Sequence, residues 1–128
     1  GILSIAAANL GATNVLGLDV DSVAVRVARQ NVRLNRREHI VRVALGSLPH
    51  HEVKPRSYDV AVANISALVV SEMAGALATS VKPGGRIVAS GVLVDNKDQV
   101  ERALVSAGTL LEETLVEGDW VTLVASVA

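Results

Sequence analysis

The shortest link between two strand-like segments sets the strongest limit on how this chain can fold. The segments TLLEETLV and WVTLVASV are rich in apolar and β-branched residues, and only Glu117, Gly118 and Asp119 separate them. A parallel connection between neighbouring strands needs a crossover of about a dozen residues or more. A link this short therefore predicts a hairpin in which the last two strands are antiparallel.

The rest of the chain alternates apolar runs with helical patterns. Helical patterns cover residues 2–10, 22–34, 66–81 and 97–107, and strand-like runs cover 14–19, 40–45, 58–64, 86–92, 109–116 and 120–127. Gly11 and Gly108 end two of the helices, and the KPGG sequence after Val81 ends a third. Alternation of this kind predicts an α/β fold with three layers and a mostly parallel sheet, closed by an antiparallel last strand.

Apolar spacing also predicts which helix faces are buried. The residues predicted to face the core are Val23, Val27 and Leu34 in the second helix, and Leu68, Val69, Met73 and Leu77 in the third.

Composition excludes several classes of protein. With 128 residues the chain is predicted to form one domain over 1–128, large enough to hold a core without disulfides or a structural metal. It has no cysteine, which rules out a disulfide scaffold and a thiolate zinc site and is typical of a cytoplasmic protein. A formal net charge of −1 argues against general nucleic-acid binding. No apolar run is long enough for a membrane span, and no segment resembles a signal peptide.

Acidic and amide side chains stand where two of the apolar strands end. Asp19 follows the strand VLGLD and lies 18 positions after Gly1, near the spacing of about 20 residues at which an acid holds a ribose in nucleotide-binding sheets. Asp21 is better placed to cap the next helix. Asn64 ends YDVAVAN, and we assign it a functional role because Ser66 is available to cap the helix that follows.

Three further features have a functional and a structural interpretation. The turn Gly46, Ser47 and Leu48 falls where such folds surround an adenine, although an ordinary turn explains it equally well. The run His50-His51-Glu52 is predicted to be a solvated loop rather than a metal site, because adjacent histidines on a loop point apart. Trp120 is predicted to be a core or rim anchor.

The arginines of the second helix, with Arg36 and Arg37, form a basic face that suits RNA or an acidic protein. A solvated helix surface explains the same pattern, and we favour that interpretation.

Taken together, the chain resembles class I S-adenosylmethionine-dependent methyltransferases and, within them, the ribosomal protein L11 methyltransferase (PrmA) family. The matching segments are GILSIAAANLGA, VLGLDVDSVAVRVARQNVRLN, GSL, YDVAVANI, VKPGGRIVASGVL and GDWVTLVA. The KPGG turn is general to the superfamily, whereas the combination of GSL, ANI, SGVL and GDWV is more specific. The antiparallel last strand also favours methyltransferases over nicotinamide-binding domains.

The resemblance implies a Rossmann-like three-layer sandwich, S-adenosylmethionine as cofactor, and methyl transfer to amino groups of a protein substrate, a ribosomal protein. It implies no metal, no direct contact with nucleic acid and no membrane. The residues that it assigns are Gly1 as the last glycine of the cofactor loop, Asp19 at the ribose, Gly46-Ser47-Leu48 at the adenine edge, and Asn64 as a cofactor-binding residue that is also catalytic, at the substrate amine.

The sequence departs from the family in where it starts. It begins inside the glycine motif, so the family's first strand, which is central in the strand order 3-2-1-4-5-7-6, is missing, as is the family's N-terminal recognition domain. Unpaired buried backbone groups each cost about 1–3 kcal/mol. We therefore expect these residues to be a fragment of a longer protein, with an incomplete cofactor site.

Two other functions fit part of the pattern. A noncatalytic methyltransferase-like binding module would explain the truncated glycine motif. A nicotinamide-dependent oxidoreductase would use Asp19 in the same way, but the sequence offers no obvious Tyr-Lys or His-Asp pair.

Overall fold

The structure is a computed structural model that describes residues 2–128. The helices are α1 (Ile2–Asn9), α2 (Ser22–Leu34), α3 (Ala67–Ser80) and α4 (Lys97–Ser106), and a 3-10 turn (Val94–Asn96) precedes α4. The strands are β1 (Val15–Asp19), β2 (Val41–Leu45), β3 (Tyr58–Asn64), β4 (Val81–Leu93), β5 (Thr109–Glu117) and β6 (Trp120–Val127). Apart from the 3-10 turn, each of these elements was predicted from the sequence.

The chain divides into two compact units, of which the first ends at His50. In this unit β1 pairs in parallel with β2, from Val15 opposite Val41 to Asp19 opposite Leu45. Gly11 has a φ of +110°, as the predicted left-handed end of α1 requires. The core cluster consists of Ala8, Val32 and Val41, with Ile5, Val15, Ile40 and Val43 packed against it.

Helix α2 begins as predicted but buries a different face. Asp21 caps it, since its side chain accepts a hydrogen bond from the Val23 N–H. The predicted face is wrong, because Val23 is 53% exposed and its companions Val27 and Leu34 are also exposed. The buried residues are Val25, Ala28 and Val32. Positions 23 and 25 lie about 200° apart around a helix, so the buried face is nearly opposite the predicted one.

The second unit, from His51 to Ala128, contains a four-stranded sheet of order β3-β4-β6-β5. β3 pairs with β4 in parallel, whereas β4 with β6 and β5 with β6 are antiparallel. The predicted hairpin is thereby confirmed. The largest fully buried side chains are Ile87, Leu104, Leu123, Val70, Val81, Val92, Val100 and Val121.

Helix α3 packs against its unit with small side chains. Its buried residues are Ala67, Val70, Ala74, Leu77 and Ser80. Leu77 was predicted, but Leu68 and Val69 are exposed, so that part of the prediction is wrong. The alanines allow the helix backbone to approach its neighbours closely, and a pattern search that weights large apolar residues misses such a face.

Helix α3 ends one residue before Val81, and the chain enters β4 at once. The KPGG sequence therefore lies inside β4 rather than before it. Opposite this segment, the register of β3 against β4 shifts between Tyr58 and Val60.

In α4, Lys97 Nζ lies 2.6 Å from Glu101 Oε1, and this hydrogen bond raises the pKa of Lys97.

Four strands have an open edge among the described residues, and β1 and β3 are two of them. β1 pairs only with β2, and β3 pairs only with β4. Val60 and Val62 of β3 are about half exposed, at 52% and 53%. Within the second unit the order matches family strands 4-5-7-6, and within the first the pair β2-β1 matches family strands 3-2. No helix in residues 2–128 has the length and apolar character to cross a membrane.

Candidate functional site

The structure brings Asp19 next to the turn Gly46–Leu48 within the first unit. The Gly46 N–H donates to the Asp19 carbonyl oxygen at 2.8 Å, because Asp19 and Leu45 end their paired strands opposite each other. The Asp19 side chain is exposed, and its Oδ1 accepts a hydrogen bond from the Asp21 N–H at 2.9 Å. The first candidate site is thus an exposed carboxylate beside a tight turn at the carboxyl ends of two parallel strands.

The turn is held by His50, whose part in the site the sequence did not reveal. His50 Nε2 lies 3.0 Å from the Leu45 carbonyl oxygen. A Cβ on Gly46 would lie 2.8 Å from His50 Cδ2, and Gly46 has a φ of +130°. Glycine is required at this position both for its backbone conformation and for the space that the imidazole ring occupies.

Asn64 ends β3 in the second unit, opposite Ser90 of β4. Its side chain is not the cap of α3, because Ser66 Oγ accepts from the Val69 N–H, as predicted. The Asn64 Oδ1 lies over Gly91, where a Cβ would come within 2.6 Å of it. Gly91 has a φ of +76° and lies where the register between β4 and β6 shifts. The absence of a side chain at Gly91 therefore leaves the space that the Asn64 amide occupies, and no local sequence signal indicated that.

Replacing Gly91 by alanine is expected to destabilise the protein by about 1–3 kcal/mol, because the new side chain would be strained at positive φ and would clash with Asn64. Gly75, in the middle of α3, has no atom within 4 Å of an added Cβ. Gly75→Ala is therefore expected to stabilise by about 0.5–1 kcal/mol. Urea unfolding of the two variants tests the contrast, and equal effects would refute the stated role of Gly91.

The candidate residues are thus divided between the two units, with Asp19 and the turn in the first and Asn64 in the second. Gly1, predicted to be the last glycine of the cofactor loop, lies outside the described residues.

The run His50-His51-Glu52 is more compact than predicted. Its potential ligand atoms all lie within 4.8 Å of one another, since the chain turns at His51 and Glu52. The expectation that the two histidines point apart is therefore wrong. His50 Nε2 lies 3.0 Å from the Leu45 carbonyl oxygen, so this ring nitrogen is already engaged within the protein.

The basic face of α2 borders a shallow groove of about 300 Å³. Its lining consists of Ser22, Val25, Arg26, Arg29, Arg33 and Leu45. Arg29 Nε donates to the Val43 carbonyl oxygen at 3.0 Å, which ties one of the three arginines to β2.

Trp120, at the start of β6, is 54% exposed, so the prediction of a core position is wrong and that of a rim position fits.

Comparison with known proteins identifies the family. Residues 1–127 match the family model described as ribosomal protein L11 methyltransferase (PrmA). The chain is 47% identical over 125 residues to the ribosomal protein L11 methyltransferase of Geobacillus kaustophilus. The match covers 98% of this chain and 39% of that protein. The corresponding protein of Listeria monocytogenes is 39% identical over 125 residues, with 98% and 40% covered. The chain thus spans about two fifths of the length of these relatives.

Solved structures agree with this. A ribosomal protein L11 methylase from Lactobacillus delbrueckii subsp. bulgaricus superposes with a TM-score of 0.84 at 28% identity, over 98% of this chain and 64% of that one. A geranyl diphosphate methyltransferase solved with SAM is only 10% identical, and its TM-score of 0.82 over 97% of this chain and 73% of that one supports the fold alone. The predicted Rossmann-like α/β fold is confirmed. The chain belongs to the ribosomal protein L11 methyltransferase family.

Proposed function

We propose that this chain carries cofactor- and substrate-binding residues of an S-adenosylmethionine-dependent methyltransferase that modifies amino groups of a protein, ribosomal protein L11. The observation that carries the proposal is that the exposed Asp19 carboxylate lies beside the Gly46–Leu48 turn, where the Gly46 N–H donates a 2.8 Å hydrogen bond to the Asp19 main-chain carbonyl oxygen. Family membership supports the substrate. The predicted cytoplasmic location goes with the proposal, because ribosomal proteins are made there.

The residues of the first unit fit the nucleoside part of such a cofactor. Asp19 Oδ1 accepts a hydrogen bond from the Asp21 N–H. Asp19 Oδ2 accepts none from residues 2–128, so it can accept hydrogen bonds from ribose hydroxyls. Ser47 is exposed and Leu48 is partly buried, so the turn offers a polar edge and an apolar contact to a base. S-adenosylmethionine, when bound, supplies an electrophilic methyl group on a sulfonium.

Asn64 is proposed to orient the accepting amine. An amine attacks only through a free lone pair, and a lysine has an unperturbed pKa of about 10.4, so its neutral form has to be favoured. The Asn64 side-chain oxygen and main-chain carbonyl can accept the amine hydrogens and aim the lone pair. An amide is not a general base, so the proton goes to water. Positioning supplies most of the rate enhancement in this scheme.

Binding of S-adenosylhomocysteine tests the proposal. The titration uses an extended chain. We define it as this sequence preceded by the segment of the Geobacillus kaustophilus relative that corresponds to the first strand and glycine loop implied by the resemblance. Asp19→Ala is expected to raise the Kd by about tenfold to a hundredfold, because a charged acceptor of two hydrogen bonds is lost.

Asp21→Asn is the matched control, since it removes a neighbouring charge and keeps a helix-capping side chain. Its Kd is expected to stay within about twofold of the parent. Equal losses in the two variants would contradict the assigned role of Asp19. Tight binding of a nicotinamide dinucleotide instead would favour an oxidoreductase, and binding of neither compound would favour a noncatalytic module.

A further inference from the structure

Exposed side chains form a row across one face of the β5–β6 hairpin and the adjoining strand β4. Trp120 of β6 lies opposite Leu93 of β4 on one side and Glu117 of β5 on the other. Residues directly opposite each other in antiparallel strands project to the same face, and Leu115, two residues before Glu117, projects there as well. We call Leu93, Leu115, Glu117 and Trp120 the hairpin face.

Three of the four side chains of the hairpin face are apolar, and all four are exposed. Leu93, Leu115 and Trp120 are 43%, 51% and 54% exposed, whereas Val92 and Val121 on the opposite face of the same strands are buried. Adjacent exposed apolar side chains mark interaction surfaces on soluble proteins. Tryptophan is also among the residues that contribute most to binding at protein interfaces.

The hairpin face lies at the same end of the sheet as Asn64. Asn64 is opposite Ser90 of β4, and Leu93 comes three residues later along that strand. Three residues of a strand span about 10 Å. The Val94 N–H donates to the Asp119 carbonyl oxygen at 2.9 Å, which fixes the hairpin turn to the end of β4.

The charge on the hairpin itself is of one sign. Residues 103–128 contain no Lys or Arg, and their acidic residues are Glu112, Glu113, Glu117 and Asp119. All four are exposed. An indole face beside carboxylates attracts ammonium and guanidinium groups by charge and by cation–π contact.

We propose that the hairpin face docks a basic, lysine-bearing segment of the protein substrate beside Asn64. The proposal rests on the proposed function for the identity of the substrate. Trp120 supplies the apolar anchor, and Glu117 and Asp119 attract the cationic side chains that flank the lysine to be modified.

Calorimetric titration of the extended chain with purified ribosomal protein L11 tests the docking. Trp120→Ala is expected to raise the Kd about tenfold or more, and Glu117→Gln about threefold. Trp120→Phe keeps an aromatic ring and is expected to stay within about threefold of the parent. Glu112→Gln is the matched control, because it removes the same charge from the same strand farther from the turn.

The affinity is also expected to fall as salt rises toward about 0.15 M and beyond, where exposed charges are screened. Equal affinity of the parent and Trp120→Ala, equal losses in Glu117→Gln and Glu112→Gln, or absence of L11 binding by the parent would each overturn the docking. Self-association that Trp120→Ala abolishes, without L11 binding, would also overturn it.

Binding of S-adenosylhomocysteine by the extended chain separates this proposal from the proposed function. Trp120-dependent binding of L11 without cofactor binding would uphold the docking and remove the methyltransferase. If the extended chain binds the cofactor and Trp120→Ala leaves the affinity for L11 unchanged, the methyltransferase proposal is upheld and the docking proposal is overturned.

Discussion

The extended chain is expected to bind S-adenosylhomocysteine at least about a hundredfold more tightly than the 128-residue chain. The physical reason lies in the open strand edges. β1 pairs only with β2 and β3 only with β4 among the described residues, so each presents a row of backbone groups without a strand partner. Two-stranded sheets are marginal in isolation, and Asp19 stands at the end of such a strand.

In the extended chain, the added strand is expected to supply the partner that an open edge lacks and to bring the glycine loop with it. The apparent affinity of a ligand is proportional to the fraction of molecules in the binding-competent conformation. If the end of β1 holds that conformation in only a small fraction of molecules, the affinity is lowered in the same proportion. Calorimetry of the two proteins side by side measures the difference.

An extended chain whose added segment is scrambled, with the same composition, is the matched control and is expected to bind no better than the 128-residue chain. Equal affinity with and without the correctly ordered segment would show that the site does not need a further strand.

Local chemistry allowed much of the fold to be predicted. The three-residue link predicted the antiparallel pair of β5 and β6. Asp21 caps α2 and Ser66 caps α3, as their side chains indicated. Glycines with positive φ end α1 and α4 at Gly11 and Gly108. Each of these features depends on residues within a few positions of one another, and such features are written directly in the sequence.

The buried faces and the supports of the site were harder to predict. Helix α3 packs through Ala67 and Ala74, which a hydrophobic pattern weights little. Gly91 lies under Asn64 although the two are far apart in the sequence, and only the register of β3 on β4 brings them together. Such contacts are fixed by tertiary structure, which apolar spacing does not encode.

Asn64→Ala is expected to lower kcat for methyl transfer to L11 by the extended chain by about a hundredfold or more. Removing one preorganised group that acts on the reacting atoms typically costs about 10²–10³ in rate. Asn64 is exposed at the end of β3 and its neighbour Ser66 caps α3, so the substitution removes an amide without removing a helix cap. The Kd for S-adenosylhomocysteine is therefore expected to stay within about threefold.

Asn96→Ala is the matched control for that experiment, because Asn96 is exposed and makes no side-chain capping hydrogen bond before α4. Its kcat is expected to equal that of the parent. Gly91→Ala is expected to fall between the two in kcat, since its Cβ would displace the Asn64 amide, whose Oδ1 lies 2.6 Å from that position, without deleting it. Single-turnover transfer of labelled methyl to L11 gives these rates. A loss in Asn64→Ala no larger than that in Asn96→Ala would exclude Asn64 from the reaction, because a residue that aims the attacking lone pair acts on the chemical step itself.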